Sequence, residues 1–152
     1  MSSSDVLKGI NPATGESILL PIKILTDGSM LIPGLPQMKL ATVDLVDLNN
    51  VATPALYTVP NEVSCIITAI VVRKASISLS TVSFSIGWTS ASYNDVLANA
   101  THTELAGPTL ATVLAPKTGM LIATPGSVLK LKNNTQQGAP ATASFDIFGM
   151  LL

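Results

Sequence analysis

The side chains best suited to acid–base or metal chemistry are few in this sequence and lie far apart. His102 is the single histidine, and Glu104 follows two positions later, so both would point the same way on a strand. One imidazole and one carboxylate do not make a recognisable metal site, and Asp44 and Asp47 are too isolated for a calcium loop. We therefore predict no bound metal and expect His102 and Glu104 to form a solvated loop pair.

Signs of nucleophilic catalysis are equally few. The chain holds 15 serines and 16 threonines, but it has no Gly-x-Ser-x-Gly motif and no glycine-rich phosphate loop. The nine acidic residues are scattered, so no pair of catalytic carboxylates is evident. We expect a protein that is not an enzyme and uses no cofactor. A hydrolase built on His102 is the catalytic alternative.

One loop carries the residue types that bind sugars. Trp88, Tyr93, Asn94 and Asp95 bracket a polar stretch, and aromatic rings beside amide and carboxylate groups can stack on and hydrogen-bond to a carbohydrate. These four residues are the candidate ligand loop. The alternative is that Trp88 ends a strand as a cap on the core and that Tyr93 covers the sheet edge. We favour this alternative because the chain has few other aromatic residues to fill a core.

The elements that position these residues are predicted to be strands. Residues 63–72 are almost wholly apolar, but the run is much shorter than the ~20 residues that a membrane-spanning helix needs. Its isoleucines and valines favour a strand, since β-branched side chains pack well on a pleated surface. Such a strand has one face on the core and the other against an arm, a second sheet or a neighbouring subunit. Cys65 lies inside this run and is expected to be a small buried hydrophobe.

Further strands are predicted where apolar and polar residues alternate or where short apolar runs lie between turn residues. The strand candidates are residues 55–59, 82–88, 109–115, 119–123, 128–132 and 143–149. A helical turn capped by Asn94 is expected at 95–100. Short strands at this spacing predict an all-β protein, an antiparallel sandwich or barrel.

The first third of the chain differs from the rest, and we predict an N-terminal arm at 1–53 before a β-sandwich domain at 54–152. Prolines interrupt the arm, and residues 18–25 form a proline-containing strand that suits a sheet edge. Residues 26–29 predict a hairpin turn into the strand at 30–32. The arm is too apolar for a disordered tail and too interrupted for a core. We expect it to lie on its own domain, a neighbouring subunit or another protein.

The composition indicates a surface that is covered by other subunits. Charged residues make up 11% of the chain, and the few cationic ones are scattered, so nucleic-acid binding is not expected. A surface this poor in charge does little to keep identical copies apart. Because no targeting signal or membrane-spanning segment is visible, we expect a soluble cytosolic product that is used or assembled where it is made.

Tyr57-Thr-Val-Pro60, the apolar strand after it and the alternating stretch at 82–88 resemble a recurring pattern in small β-sandwich proteins of tailed-phage virions. The resemblance covers residues 55–152, and the best match in size and composition is to capsid cement (decoration) proteins. It implies a jelly-roll-like sandwich that assembles as a symmetric oligomer, commonly a homotrimer, on the capsid surface of the virion. Such proteins clamp neighbouring major capsid protein subunits against internal pressure.

The expected function is therefore structural: a protein made in the host cytoplasm that binds itself and the major capsid protein, and neither nucleic acid nor membrane. The contact residues are expected to be Ile18, Leu20, Ile22, Ile24, Leu40, Val43 and Leu45. Edge strands with free hydrogen-bonding groups can also add to the sheet of a neighbour. The alternative function is a carbohydrate- or receptor-binding module of a tail or fibre, which would use the candidate ligand loop.

Overall fold

The computed structural model describes residues 38–88, 91–103, 105, 107, 109–119 and 121–152 in full, together with the backbone of three strands that precede them. The described residues contain no helix, and so none with the length and apolarity that a bilayer span requires. The strands are β1 Ser4–Ile10, β2 Ser17–Ile24, β3 Met30–Leu31, β4 Met38–Asp47, β5 Ala55–Thr58, β6 Cys65–Arg73, β7 Ser83–Gly87, β8 Leu97–Thr101, β9 Ala111–Leu114, β10 Val128–Thr135 and β11 Thr142–Leu151.

Strands β4 to β11 form two four-stranded antiparallel sheets, in the orders β5-β10-β7-β8 and β4-β11-β6-β9. Their inner faces enclose a common core, in which the rings of Phe84 on β7 and Phe145 on β11 meet edge to face with centroids 5.8 Å apart. Leu131 on β10 and Ile147 on β11 are fully buried beside them. Burial of apolar area contributes about 25 cal/mol per Å², so this shared core holds the sheets together. The predicted all-β antiparallel sandwich is confirmed.

The apolar run at 63–72 forms the predicted strand, β6, which lies between β11 and β9. Its buried residues that join the core are Cys65, Ile67, Ile70 and Val72. Val71 is only half-buried, on the opposite face. The inner face is therefore covered as predicted, whereas the outer face is left partly open by the described residues.

β7 is buried on both faces, although its alternating sequence predicts a half-buried strand. The serines at its polar positions are covered by other segments of the chain. Ser83 Oγ donates to Thr135 Oγ1 at 2.9 Å, and Ser85 Oγ donates to the Ser92 carbonyl at 3.2 Å. The loop after β7 thus packs over a face that the alternating sequence assigns to solvent. Burial of the two serine hydroxyls costs little free energy because each of them is hydrogen-bonded.

The predicted helical turn at 95–100 is wrong, since this segment forms β8. Leu97 is buried and lies opposite Ile86 of β7, and Ala100 lies opposite Phe84. Pairing with a neighbouring strand satisfies more backbone groups than one isolated helical turn, whose nucleation is unfavourable. The ladder therefore overrides the capping signal of Asn94.

The predicted strand at 119–123 is also wrong. Among the described residues of this segment, only Ala123 pairs with the sheet: its N–H donates to the Cys65 carbonyl at 2.8 Å, and its carbonyl accepts from the Cys65 N–H at 3.0 Å. Gly119 has a φ of 86°, a left-handed conformation that breaks extended structure. Leu121 and Ile122 are exposed, so this segment is a loop that displays apolar side chains.

β1, β2 and β3 form a separate three-stranded antiparallel sheet, here called the arm sheet. The two strands of the predicted hairpin are paired, with Lys23 opposite Leu31 and Ile24 opposite Met30. The predicted turn at 26–29 lies outside the described residues. β1 was not expected from the sequence, and its pairing along the length of β2 gives the arm regular structure of its own.

β4 lies within the predicted arm of residues 1–53, but it is a strand of the sandwich. It forms the edge beside β11, with Val46 opposite Ala143 and Val43 opposite Phe145, and the register shifts between these two pairs. The sandwich therefore includes residues from Met38 onwards. The predicted boundary at residue 53 falls in the loop between β4 and β5.

Candidate functional site

The outer face of the β4-β11-β6-β9 sheet, which points away from the core, carries a polar network centred on Asp146. This residue of β11 is only 7% exposed. Arg73 of β6 donates from Nε to Oδ2 at 2.7 Å and from Nη2 to Oδ1 at 3.1 Å. From β4, Thr42 Oγ1 donates to Oδ1 at 2.6 Å, and Lys39 Nζ lies 3.1 Å from the same oxygen. One carboxylate thereby joins three neighbouring strands.

The network also fixes the charge on Asp146. Hydrogen bonds from Arg73, and to a smaller extent from Thr42 and Lys39, hold the pKa of the Asp146 carboxyl far below its usual range, although burial acts in the opposite direction. The same ion pair raises the pKa of Arg73. Asp146 is therefore ionised at neutral pH and both its oxygens are occupied. It is placed to hold strands together rather than to act as an acid, a base or a metal ligand.

Beside the network lies an apolar groove of about 290 Å³, lined by Ala69, Val71, Val113 and Phe148. Val113 of β9 is 66% exposed. Lys39 of β4 lies opposite Phe148 in the register with β11, so the groove and the polar network adjoin. A contiguous apolar hollow rimmed by polar groups is typical of an interaction surface.

The structure separates the predicted contact residues into different environments. Leu40 and Val43 are half-buried and pack against the core. Leu45 is 69% exposed with a φ of 55°, at the point where the register between β4 and β11 shifts. A left-handed conformation is uncommon outside glycine and occurs preferentially at functional sites. The side chains of the remaining contact residues, Ile18, Leu20, Ile22 and Ile24 on β2, lie outside the described part of the chain.

The candidate ligand loop directs most of its groups inwards. Asp95 Oδ1 accepts from the Trp88 backbone N–H at 2.8 Å, and Trp88 packs against the core. Tyr93 is 9% exposed, and Lys130 Nζ lies 5.5 Å from the centre of its ring. Asn94 is exposed and accepts from Ser92 Oγ at 2.9 Å. Carbohydrate binding by this loop stays a prediction; the Tyr93 side chain is buried, and the Trp88 side chain is half-buried.

His102 is buried, so the predicted solvated pair with Glu104 is wrong for the histidine, and Glu104 lies outside the described residues. The His102 ring lies against Phe84, with centroids 4.6 Å apart. Its carbonyl accepts from the Leu105 N–H at 3.0 Å, in a turn that follows β8. A ring covered in this way suits a core residue better than a general base that a substrate must reach.

Cys65 is fully buried, as predicted, and burial raises the pKa of its thiol to about 11. Such a thiol is protonated at neutral pH and therefore a poor nucleophile. Within the described ranges, no cluster of three or more histidine, cysteine, aspartate or glutamate residues is placed to hold a metal ion.

The network and the groove were both missed from the sequence, although each has a signal there. Arg73 ends one apolar strand and Asp146 interrupts another. Two isolated residues of opposite charge on apolar strands suggest that they form an ion pair. They are 73 residues apart, and only the strand order brings them together. Phe148 breaks the alternation of its strand, which marks an apolar residue on the outer face.

No protein-family model and no curated protein sequence matches this chain. Among solved structures, its fold is similar to that of a chain in the "Cyanophage Pam1 capsid asymmetric unit", with a TM-score of 0.50 and 12% sequence identity. The match covers 93% of this chain and 100% of that chain. At this identity the likeness concerns the fold, and it extends over nearly the whole of both chains.

Proposed function

We propose that this protein is a structural component of a bacteriophage virion that binds and stabilises the assembled capsid shell, as a cement (decoration) protein. The observation that carries the proposal is the likeness in fold to a chain of the cyanophage capsid, which runs along both chains. The protein acts as a homo-oligomer, a homotrimer by its resemblance to cement proteins, and its partner is the major capsid protein. No catalytic group takes part in this role.

The exterior of the sandwich supports a binding role because it displays large apolar side chains at several places. These residues include Leu45, Val51, Leu110, Val113, Leu121 and Ile122. Charged residues make up only 11% of the chain, against about 25% in ordinary domains. When a partner removes such a surface from water, each Å² of apolar area contributes about 25 cal/mol.

A cement role needs interface area and rigidity. Each copy that bridges two shell subunits adds an interface that must break before they separate, and a standard interface buries about 1,600 Å². Rigidity is supported by the Asp146 network, which joins β4, β11 and β6 across the outer face. A sheet joined in this way can transmit a pulling force between partners without losing a strand from its edge.

Co-sedimentation tests the proposal. Purified protein is mixed with empty capsid shells of the phage that encodes it, after removal of their own copies, and the pelleted fraction is measured. We expect saturable binding and a higher temperature of shell disruption. A chain that stays in the supernatant at every concentration and leaves the disruption temperature unchanged overturns the proposal.

A substitution at Leu45 makes the test specific to a surface. Leu45→Asp places a charge on an exposed apolar residue, and aspartate tolerates the left-handed backbone found there. We expect weaker binding to shells without a loss in the unfolding midpoint. The matched control is Ala98→Asp, which adds the same charge at an exposed position of β8 in the other sheet and should bind as the parent does.

A further inference from the structure

Residues 91–95 fold back over the outer face of β7, and we call them the returning segment. Ser85 Oγ of β7 donates to the Ser92 carbonyl at 3.2 Å. The segment passes so close to Gly87 that a Cβ built there would lie 2.7 Å from the carbonyl carbon of Tyr93. The returning segment is therefore a second layer over β7, on the side of the sheet that points away from the core.

Two further contacts fasten the returning segment in this position. Asp95 Oδ1 accepts from the Trp88 backbone N–H at 2.8 Å, which ties the end of the segment to the residue that follows β7. From β10, Lys130 Nζ lies 5.5 Å from the centre of the Tyr93 ring, within the range of a cation–π contact. Each of these contacts uses a side chain, so they can break together without opening the ladder between the strands.

The closed position of the returning segment carries two energetic costs. Tyr93 has a φ of 45°, a left-handed conformation that a bulky side chain keeps only where the surrounding contacts hold it. Asp95 Oδ2 is buried, and no group of the described residues hydrogen-bonds to it. A buried polar atom without a partner costs free energy that is regained when water reaches it. Opening relieves both costs, which offsets part of the loss of the fastening contacts.

The strand that follows the returning segment limits how far it can open. The Val96 N–H, next to Asp95, donates to the Ile86 carbonyl at 3.1 Å. Leu97 is buried and lies opposite Ile86 in the ladder of β7 with β8. Separation of these residues exposes the core, whereas separation of the returning segment exposes little apolar area. Local openings of the second kind require less free energy than global unfolding.

We infer that the returning segment is a latched flap, which opens and closes over β7 while the two sheets of the sandwich stay folded. In the closed form Tyr93 is buried and Asp95 is half-buried. In the open form both side chains face water. This device goes beyond the proposed capsid role. It also controls the candidate ligand loop, because a partner of these two side chains would bind the open form, with an affinity reduced by the fraction of open molecules.

Hydrogen exchange at low urea concentrations, followed by NMR on the whole protein, tests the flap. The Trp88 amide reports on the latch, and the amide of Ile147, which is fully buried in the central strand β11, reports on the sandwich. After correction for intrinsic rates, we expect the Trp88 amide to exchange at least about tenfold faster than the Ile147 amide. Urea should barely change the exchange of Trp88 and should accelerate that of Ile147, since only global unfolding exposes a large area.

A pair of lysine substitutions tests the latch itself. Lys130→Met removes the charge from the Tyr93 ring and keeps a long side chain, so exchange of the Trp88 amide should accelerate about two- to fivefold, the usual contribution of a cation–π contact. Lys132→Met is the matched control, because Lys132 lies two residues further along β10 on the same face. It should leave the exchange of Trp88 unchanged.

Two results overturn the inference. If the Trp88 and Ile147 amides exchange with the same free energy and the same dependence on urea, the segment opens only when the sandwich unfolds. If Lys130→Met and Lys132→Met change the exchange of Trp88 equally, or not at all, the contact with Tyr93 does not hold the segment closed. Neither result depends on capsid shells, so co-sedimentation remains an independent test of the proposed function.

Discussion

Arg73 and Asp146 form a bidentate ion pair across neighbouring strands, with Nε–Oδ2 and Nη2–Oδ1 distances of 2.7 and 3.1 Å. Arg73 lies opposite Ser144 and Asp146 lies opposite Val71, so the pair runs diagonally across the β6–β11 ladder. Planar geometry of this kind lets one guanidinium occupy both oxygens of a carboxylate. The pair is flanked by Lys39 and Thr42, and it thus stabilises the register of three strands at once.

Removing the charge from Asp146 should destabilise the fold. In Asp146→Asn, Arg73 loses its charged partner and the buried amide cannot accept at both positions, so we expect a loss of about 1–3 kcal/mol in the free energy of unfolding. Urea denaturation measures it. Asp44→Asn is the matched control, because Asp44 is exposed and its oxygen lies 3.7 Å from Arg73. The control substitution should lower the free energy of unfolding by less than about 1 kcal/mol. Equal losses in both variants would contradict the assigned role of Asp146.

The same carboxylate predicts a pH dependence. Its pKa is lowered in the folded state, so between the folded value and the unfolded value of about 3.9 the unfolded chain binds more protons. The contribution of Asp146 to stability is therefore complete at neutral pH and is lost as the pH falls below about 4. We expect the difference in unfolding free energy between the parent and Asp146→Asn to shrink from pH 7 to pH 2. A difference that stays constant over that range rules the mechanism out.

A methyl group at Gly87 should not fit. A Cβ there would overlap Asp95 Oδ1 and would lie 2.7 Å from the backbone carbonyl carbon of Tyr93. Gly87→Ala should therefore lower stability by about 1–3 kcal/mol, the usual range for overpacking. Gly107→Ala is the control, since nothing lies within 4 Å of the added carbon. Thermal unfolding of the two variants compares them directly, and a Gly87→Ala midpoint equal to that of the control would count against the packing described.

Leu45 should show a conflict between stability and binding. It has a φ of 55°, and glycine adopts this conformation without the strain of about 1 kcal/mol that a side chain brings. We expect Leu45→Gly to raise the unfolding midpoint and to weaken binding to shells. Lys74→Gly is the control, because Lys74 has a φ of 53° and is exposed. It should raise the midpoint by a similar amount and leave binding unchanged; weaker binding in both variants would remove the case for Leu45.

Residue alternation predicted much of the sandwich, because period two follows directly from the pleat of a strand. Phe145, Ile147, Leu129 and Leu131 are all buried as the pattern requires. Alternation does not say what lies over the other face. Ser85 is buried where the loop at Ser92 folds back to it and Asn134 donates to its hydroxyl, and no local pattern encodes these contacts.

The interaction surfaces were harder to predict because they depend on strand order. The groove takes its lining from β6, β9 and β11, which are distant in sequence and adjacent only in the sheet. Leu45 was predicted as a contact residue because it is one of several apolar residues in its segment. Its exposure has a different cause, a register shift between β4 and β11 that the sequence does not reveal. His102 was assigned to solvent because a single histidine after a predicted helical turn gives no hint of Phe84 beneath it.

The shapes of the two outermost strands of the β4-β11-β6-β9 sheet limit how copies can join. β9 has only four residues, and the ladder of β4 with β11 is interrupted by two register shifts. Long, straight, uninterrupted edges are the templates on which one molecule after another is added without end. Short and kinked borders disfavour that runaway growth, so contacts between copies of this protein are favoured through the faces of its sheets rather than through its strand edges.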